Sequence, residues 1–271
     1  MLCAVALIIA LNSAQSALWG EARKTGFILG GSGVNIPLTK LLAQAFTAKN
    51  AEIQLKVLPS IGTTGGVKAV HKGKIDLGLA SRALSGTETT WGLKAVPYAK
   101  AILVFAVNPS VSEDNITNDD VLAIYDGKKN RWKNGSAIIV LMREEGDSGA
   151  ELLTSKIPGI KETFQRAWHS GIWRIEYRDT DCARSIERLK NSIGWSDFGS
   201  IQIDHYNIKP LKFNGIEPNI SNAVSGSYPL SRKLTFIFTE PLPEPLRKFI
   251  AFVKSPEGLE IVRKYGYVPI P

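Results

Sequence analysis

The sequence predicts an α/β protein built on mainly parallel sheets. β-type apolar runs at residues 53–57, 75–80, 101–107, 137–142 and 234–238 are separated by stretches with helical spacing. The composition is 44% hydrophobic and 21% charged over 271 residues, which suits a folded chain with a sizeable core. That length accommodates two ordinary domains or one large one. No internal repeat, low-complexity tract or long polar linker breaks the alternation, so two domains would be joined by short connections.

Taken in order, the chain begins with an unbroken apolar run over residues 2–11, then the small and polar residues 12–17. This has the outline of a secretory signal peptide, residues 1–17, cleaved after Ser16 or Ala17, although no Lys or Arg precedes the run. It is too short to span a bilayer as a stable helix. The expected mature protein is therefore exported, periplasmic and soluble. No cysteine follows the run to carry a lipid, and Cys3 in the leader leaves Cys182 alone, without an internal disulfide. Leu38, Leu41, Leu42, Ala45 and Phe46 follow the spacing of a helix with one buried face, and Leu246, Phe249, Ile250 and Val253 repeat it near the C-terminus. Thr117 is placed to cap a helix over Asn118–Tyr125 that Gly127 stops.

Three stretches share one pattern. Residues 27–35, 57–66 and 138–149 each run from an apolar strand through a Gly/Ser/Thr-rich turn to a helix start. Such turns present unpaired backbone N–H groups at the positive end of a helix dipole, and the target that fits all three is an oxyanion. None has the Lys spacing of a nucleotide-binding P-loop. A formal net charge of +8 favours acidic partners. The chain lacks a long Lys/Arg block or interleaved Arg and aromatic residues, which argues against nucleic acid. Gly146-Asp-Ser-Gly149 echoes the nucleophile turn of chymotrypsin-like proteases, but those are all-β, and amphipathic helices contradict that fold. His71, His169 and His205 show no metal-ligand spacing, and His71 falls on an apparent helix, so neither a metal nor another cofactor is expected.

Gly30-Gly-Ser-Gly-Val-Asn-Ile-Pro37, Ser60-Ile-Gly-Thr-Thr-Gly-Gly-Val-Lys68 and Ile75-Asp-Leu-Gly-Leu-Ala-Ser-Arg82 resemble the first half of the phosphate-binding receptors that serve ABC phosphate transporters. Stretches at 116–132, 143–149, 191–198, 228–230 and 255–269 match in the same order. The resemblance implies the two-lobed type II periplasmic-binding-protein fold, with a ligand cleft between the lobes. Lobe I would comprise residues 25–103 and 236–271 and lobe II residues 104–235, with crossing hinge strands at 101–107 and 234–238. It further implies a monomeric, non-enzymatic protein that captures a tetrahedral oxyanion, foremost phosphate, for an ABC permease in the inner membrane. Sulfate, molybdate or tungstate binding, a non-transport sensor, and a phosphate-ester hydrolase stand as the alternatives.

Carried over by position, Asn35 and Ile36 fall on the first ligand loop, beside Ser32 and Gly33. Thr63 falls on the hydroxyl of the second loop, beside Thr64 and Gly65. Arg143 takes the place of the principal cation, and Ser148, Gly149 and Ala150 that of the third loop. Ala150 replaces a usual Thr, and Asp147 is inserted before Ser148. Ser81-Arg82 stands where several members follow a Ser with an acid. Arg82 either meets ligand or pairs with a carboxylate such as Asp76 or Glu88. Asp147 is the expected substitute acceptor for a protonated phosphate oxygen; the alternative is that it orients Arg143.

Overall fold

The computed structural model describes residues 26–271. The signal peptide expected at 1–17, its cleavage site and Cys3 lie outside the described residues. Within them, no helix is long and apolar enough to cross a membrane.

The chain starts with β1 (Gly26–Gly31), α1 (Ile36–Thr47), β2 (Gln54–Val57), α2 (Gly62–His71) and β3 (Leu77–Ala80). The three strands are parallel, with β1 between β2 and β3. In α1, Leu38, Leu42 and Phe46 are buried as their spacing requires, while Leu41 and Ala45 are half-buried. A fourteen-residue strand follows, β4 (Lys94–Val107). The middle of the chain supplies α3 (Asn118–Tyr125), β5 (Ile139–Arg143), α4 (Ser148–Lys156), α5 (Ile160–Ser170), β6 (Arg174–Glu176), α6 (Asp179–Arg188), β7 (Ser192–Asp197) and α7 (Phe198–Ile203). The chain then returns through β8 (Ser231–Phe238) to α8 (Glu244–Val253) and α9 (Pro256–Lys264). Phe249 of α8 packs on Phe46 of α1 with ring centroids 5.5 Å apart, so the C-terminal helices rejoin the first lobe.

The principal strand order is β2-β1-β3-β8-β4-β7-β5-β6. Pairing is parallel on both flanks and antiparallel in the centre, where β8 lies between β3 and β4, and β4 meets β7. The sheet is therefore mixed rather than mainly parallel. The reason is topological: one crossing carries the chain out of the first lobe and the other brings it back, so the two strands run in opposite directions.

β4 is where the lobes meet. Ile102 lies opposite Ser231 of β8, and the next residue, Leu103, lies opposite Asp197 of β7. Ala101 to Val107 are all buried. Ala99 and Ala101 belong to one apolar cluster with Phe27, Leu38 and Phe249, whereas Ile102 to Val107 belong to another with Leu141, Phe164 and Trp195. Each cluster is large enough to be a domain core of its own, and one strand is common to both.

Local signals behave as expected at α3. Thr117 Oγ1 accepts from Asp120 N at 3.1 Å, Asp120 Oδ2 accepts from Thr117 N at 3.1 Å, and Gly127 takes φ +75° just past the helix end. Asp197 does the same for α7, its Oδ1 accepting from Ser200 N at 3.0 Å, but it does so from a buried position at the lobe junction.

That burial has a consequence for pH. Desolvation raises the Asp197 pKa from 3.8 to about 6. The folded protein therefore holds a proton that the unfolded chain has released between those values. This group's contribution is most favourable below about pH 4, declines as the pH rises to about 6, and is constant above. Asp197→Asn keeps the oxygen that caps α7 and should remove the decline. Urea midpoints measured from pH 3.5 to 7 should be flatter in the variant, and an unchanged slope contradicts the assignment.

Candidate functional site

A cavity of about 400 Å³ lies between the lobes, walled by the turns that follow β1, β2, β5 and β6 and by Arg82 after β3. Close strand packing sets the first wall. Gly31 sits at φ +148°, and a Cβ there would come within 2.1 Å of Leu79 O, so only glycine lets β1 leave the sheet at this point. Ser32 N then donates to Leu79 O at 2.8 Å, which fixes Ser32 beside the end of β3. The result is a cluster of hydroxyls. Ser81 Oγ lies 2.8 Å from Ser32 Oγ, 3.3 Å from Thr63 Oγ1 and 2.8 Å from Ser148 Oγ. The first three residues belong to one lobe and Ser148 to the other. Each hydroxyl can donate or accept, so the cluster can offer protons to an acceptor that replaces these mutual contacts.

The helix starts around this cluster differ. At α2 the residue before the first turn is Ile61, 47% exposed and without a side chain that can cap, and the turn's side-chain contact is a long one, Gly62 N to Ser60 Oγ at 3.4 Å. Gly62, Thr63, Thr64 and Gly65 of that turn all line the cavity. A Ser or Asp in place of Ile61 would stabilise the helix by about 1 kcal/mol; leaving the N–H groups uncapped keeps them for an anion. At α4 the opposite holds. Asp147 Oδ1 accepts from Gly149 N at 2.9 Å and from Ala150 N at 3.1 Å, so this helix start is closed by its own side chain.

Arg143, at the end of β5, is 3% exposed. Its Nε donates to Glu176 O at 2.8 Å and Nη2 to Tyr177 O at 3.1 Å. Nη2 also stands 3.3 Å from Asp147 Oδ2, and Nη1 stands 2.9 Å from Asp179 Oδ1. Burial opposes the charge on Arg143, but Asp179 and then Asp147 outweigh it and hold the pKa above the usual value. Burial likewise works against Asp179, and Arg143 reverses it, so the carboxyl is held below its ordinary range. Asp179 also reaches across the cleft: a Cβ added to Gly33 would lie 2.2 Å from its Oδ2.

Residues 19–257 match the family described as the PBP superfamily domain. The chain belongs to the PBP superfamily. Among its relatives, the phosphate-binding protein PstS of Bacillus subtilis is 22% identical over 261 residues, covering 93% of this chain and 83% of that protein. PstS of Pseudomonas aeruginosa PAO1 is 26% identical over 252 residues, 82% of this chain and 75% of that protein. In structure, a putative phosphate ABC transporter substrate-binding protein from Clostridium perfringens, solved with bound phosphate, aligns at a TM-score of 0.81. It is 25% identical, and the alignment covers 91% of this chain and 100% of that one. The reduced form of OxyR from N. meningitidis aligns at 0.64 with 12% identity, over 92% of this chain and 100% of that one. The fold alone therefore does not choose a function, and the site must.

Within this PBP-superfamily protein, Ser32, Gly33, Thr63, Thr64, Gly65, Arg82, Arg143, Asp147 and Ser148 line the one cavity, and Ser81 stands behind it in the hydroxyl cluster. Other expected positions lie elsewhere. Asn35 is fully buried, its Nδ2 donating to Tyr98 OH at 3.1 Å and Ala80 O at 3.3 Å, which holds α1 against the sheet. Ile36 lines a different cavity, near Lys40 and Tyr206. The N–H groups of Gly149 and Ala150 are committed to Asp147. Arg82 lines the cavity but pairs with Glu88, Nη1 at 2.7 Å and Nη2 at 3.0 Å; these bonds bring the Glu88 pKa down to about 2. Asp147 lines the cavity, stands 3.3 Å from Arg143 and caps α4.

Asp179 and Arg232 have no counterpart in the sequence reading. Asp179 opens a fourth strand–turn–helix unit at residues 174–188, but its turn, Tyr177-Arg-Asp179, contains no glycine and so escapes a Gly-rich pattern. Arg232 shares strand parity with the buried Leu234 while Lys233 is exposed, and a charge on the apolar face of a strand was its available signal.

Removing the guanidinium of Arg143 leaves Asp147 and Asp179 facing each other without their common partner. Arg143→Ala should therefore cost about 3–5 kcal/mol of stability, as a broken buried ion pair does. Urea unfolding of ligand-free protein measures it, and a loss below about 1 kcal/mol would show that the bracing is not structural.

Proposed function

We propose that this protein is an extracytoplasmic solute-binding protein that captures inorganic phosphate in the interlobe cleft and delivers it to an ABC permease. One observation carries the reading: hydroxyls of Ser32, Thr63 and Ser81 from one lobe meet Ser148 of the other within 2.8–3.3 Å of Ser81 Oγ, beside an uncapped helix start and a buried arginine. A tetrahedral oxyanion offers acceptors in several directions and joins donors from both lobes. Its binding energy then favours the closed arrangement about β4 and β8, with lobe boundaries near residues 103 and 235. The names of the relatives and the phosphate in the C. perfringens structure support the choice of anion.

Binding without turnover fits the same geometry. Ser148 has no imidazole within the cavity wall, and His71 is stacked on Trp91 at 4.4 Å, on the α2 side of the first lobe. A hydroxyl without a general base is a weak nucleophile. Export to the periplasm, the monomeric state and the absence of a nucleic-acid partner belong to this same reading.

Discrimination rests on Asp179. Phosphate carries a proton near neutral pH and sulfate does not, so a carboxylate that faces the bound anion accepts from the first and repels the second. Asp147 spends both oxygens within lobe II, whereas Asp179 Oδ2 points at the Gly33 turn of the opposite lobe.

Calorimetry on ligand-stripped protein should give one phosphate per chain with micromolar or tighter affinity, about 8 kcal/mol or more. Asp179→Asn should reduce the preference for phosphate over sulfate by about 1–3 kcal/mol, and Asp147→Asn, which keeps its cap, should leave it unchanged. Binding of molybdate, tungstate or sulfate in place of phosphate would transfer the protein to that ligand, and no anion binding at all would leave a sensor on the same fold.

A further inference from the structure

The arginine that sequence and resemblance both nominate, Arg143, is already neutralised. Asp147 and Asp179 lie within 3.3 Å and 2.9 Å of its guanidinium, so this group of three carries one net negative charge. Arg82 is matched by Glu88, and Arg178 by Asp181. Counted with Glu88 and Asp181, which stand behind the cavity wall, these paired groups leave one surplus negative charge around the place where a phosphate dianion would sit.

Arg232 is different. It lies on β8, the returning crossing strand, and is 8% exposed. Its Nη1 donates to Ser148 Oγ at 2.9 Å, and its Nε, like Nη1 of Arg143, is buried with no hydrogen-bond partner among the described residues. Asp179, Asp197 and Glu151 feel its charge at longer range, but among the described residues no carboxylate comes within ion-pair distance of it. A second cavity, of about 810 Å³, opens beyond the hydroxyl cluster and shares Ser148 and Arg82 with the first. Arg232 is part of its wall, so Ser148 stands between Arg143 on one side and Arg232 on the other.

A buried guanidinium without a counter-charge is unfavourable, and a fold tolerates it where something else supplies the charge. A hydroxyl that accepts from Arg232 is left to donate its own proton onward, polarised toward an anion. We propose that Arg232, acting through the Ser148 hydroxyl and by its charge from just behind it, is the cation that compensates the bound oxyanion, and that Arg143 is the brace that shapes lobe II. This rests on reading the cleft as an oxyanion site.

Calorimetry and thermal unfolding of wild type, Arg232→Gln and Arg232→Lys test it. Arg232→Gln should weaken phosphate binding by about 100-fold, and Arg232→Lys, which keeps the charge but not the fork, by about tenfold. Ligand-free Arg232→Gln should melt no lower than wild type, because it loses an uncompensated charge, while the upward shift that phosphate gives should largely disappear. A purely structural arginine predicts the reverse: a lower melting temperature without ligand and an unchanged affinity. Wild-type affinity in either variant that remains folded overturns the proposal. If wild type itself binds none of phosphate, sulfate, molybdate or tungstate, it is the oxyanion reading that fails.

Discussion

One strand belongs to two cores. β4 leaves the first lobe at Ile102 and enters the second at Leu103, changing partner from β8 to β7 without a break. Because β8 must bring the chain back, it runs antiparallel to β4, and the pair forms the floor of the second cavity. Everything at the site hangs from the ends of strands on either side of that floor: the Ser32, Thr63 and Ser81 turns from one flank, the Arg143, Ser148 and Asp179 turns from the other. An open α/β sheet exposes its loops at strand ends. Two such sheets joined through a common centre face those loops toward each other, and the Ser81–Ser148 contact at 2.8 Å is the outcome.

The second constraint is charge. The site must hold cations to attract an anion, yet a cleft this deep penalises every unpaired one. The chain resolves this unevenly. Arg143 and Arg82 are each given carboxylates, which fixes their geometry and reduces their pull on a ligand. The donors left open are neutral hydroxyls, the uncapped N–H groups of α2, and the lone guanidinium of Arg232. Neutral donors have a particular advantage here, since they lose little on burial yet still bond an oxyanion from several directions.

The OxyR likeness marks what a fold can and cannot say. Two lobes around a crossing pair of strands appear there at 12% identity, which shows the architecture and nothing about the ligand. What distinguishes this chain is chemistry at a few positions: serines where lobes touch, glycines that let strands approach, and aspartates that meet one arginine.

The amino-acid sequence by itself determined the elements. Apolar spacing placed α1 and α8, the cap at Thr117 placed α3, and the Gly/Ser/Thr turns marked three of the five loops of the cleft, because these signals are local and act within a few residues. The partners of the charges were decided only by tertiary structure. Arg143 reads as a free cation in the chain, but Asp179 lies thirty-six positions away, brought near by the parallel pairing of β5 with β6. Asn35 reads as a ligand contact but turns to Tyr98, sixty-three positions on. Asp147 reads as an acceptor for ligand or as a residue that orients Arg143, and the fold sets one oxygen on its own helix and the other beside Arg143. Burial makes most charged and polar groups find a partner, and which partner is within reach depends on how strands distant in sequence lie side by side.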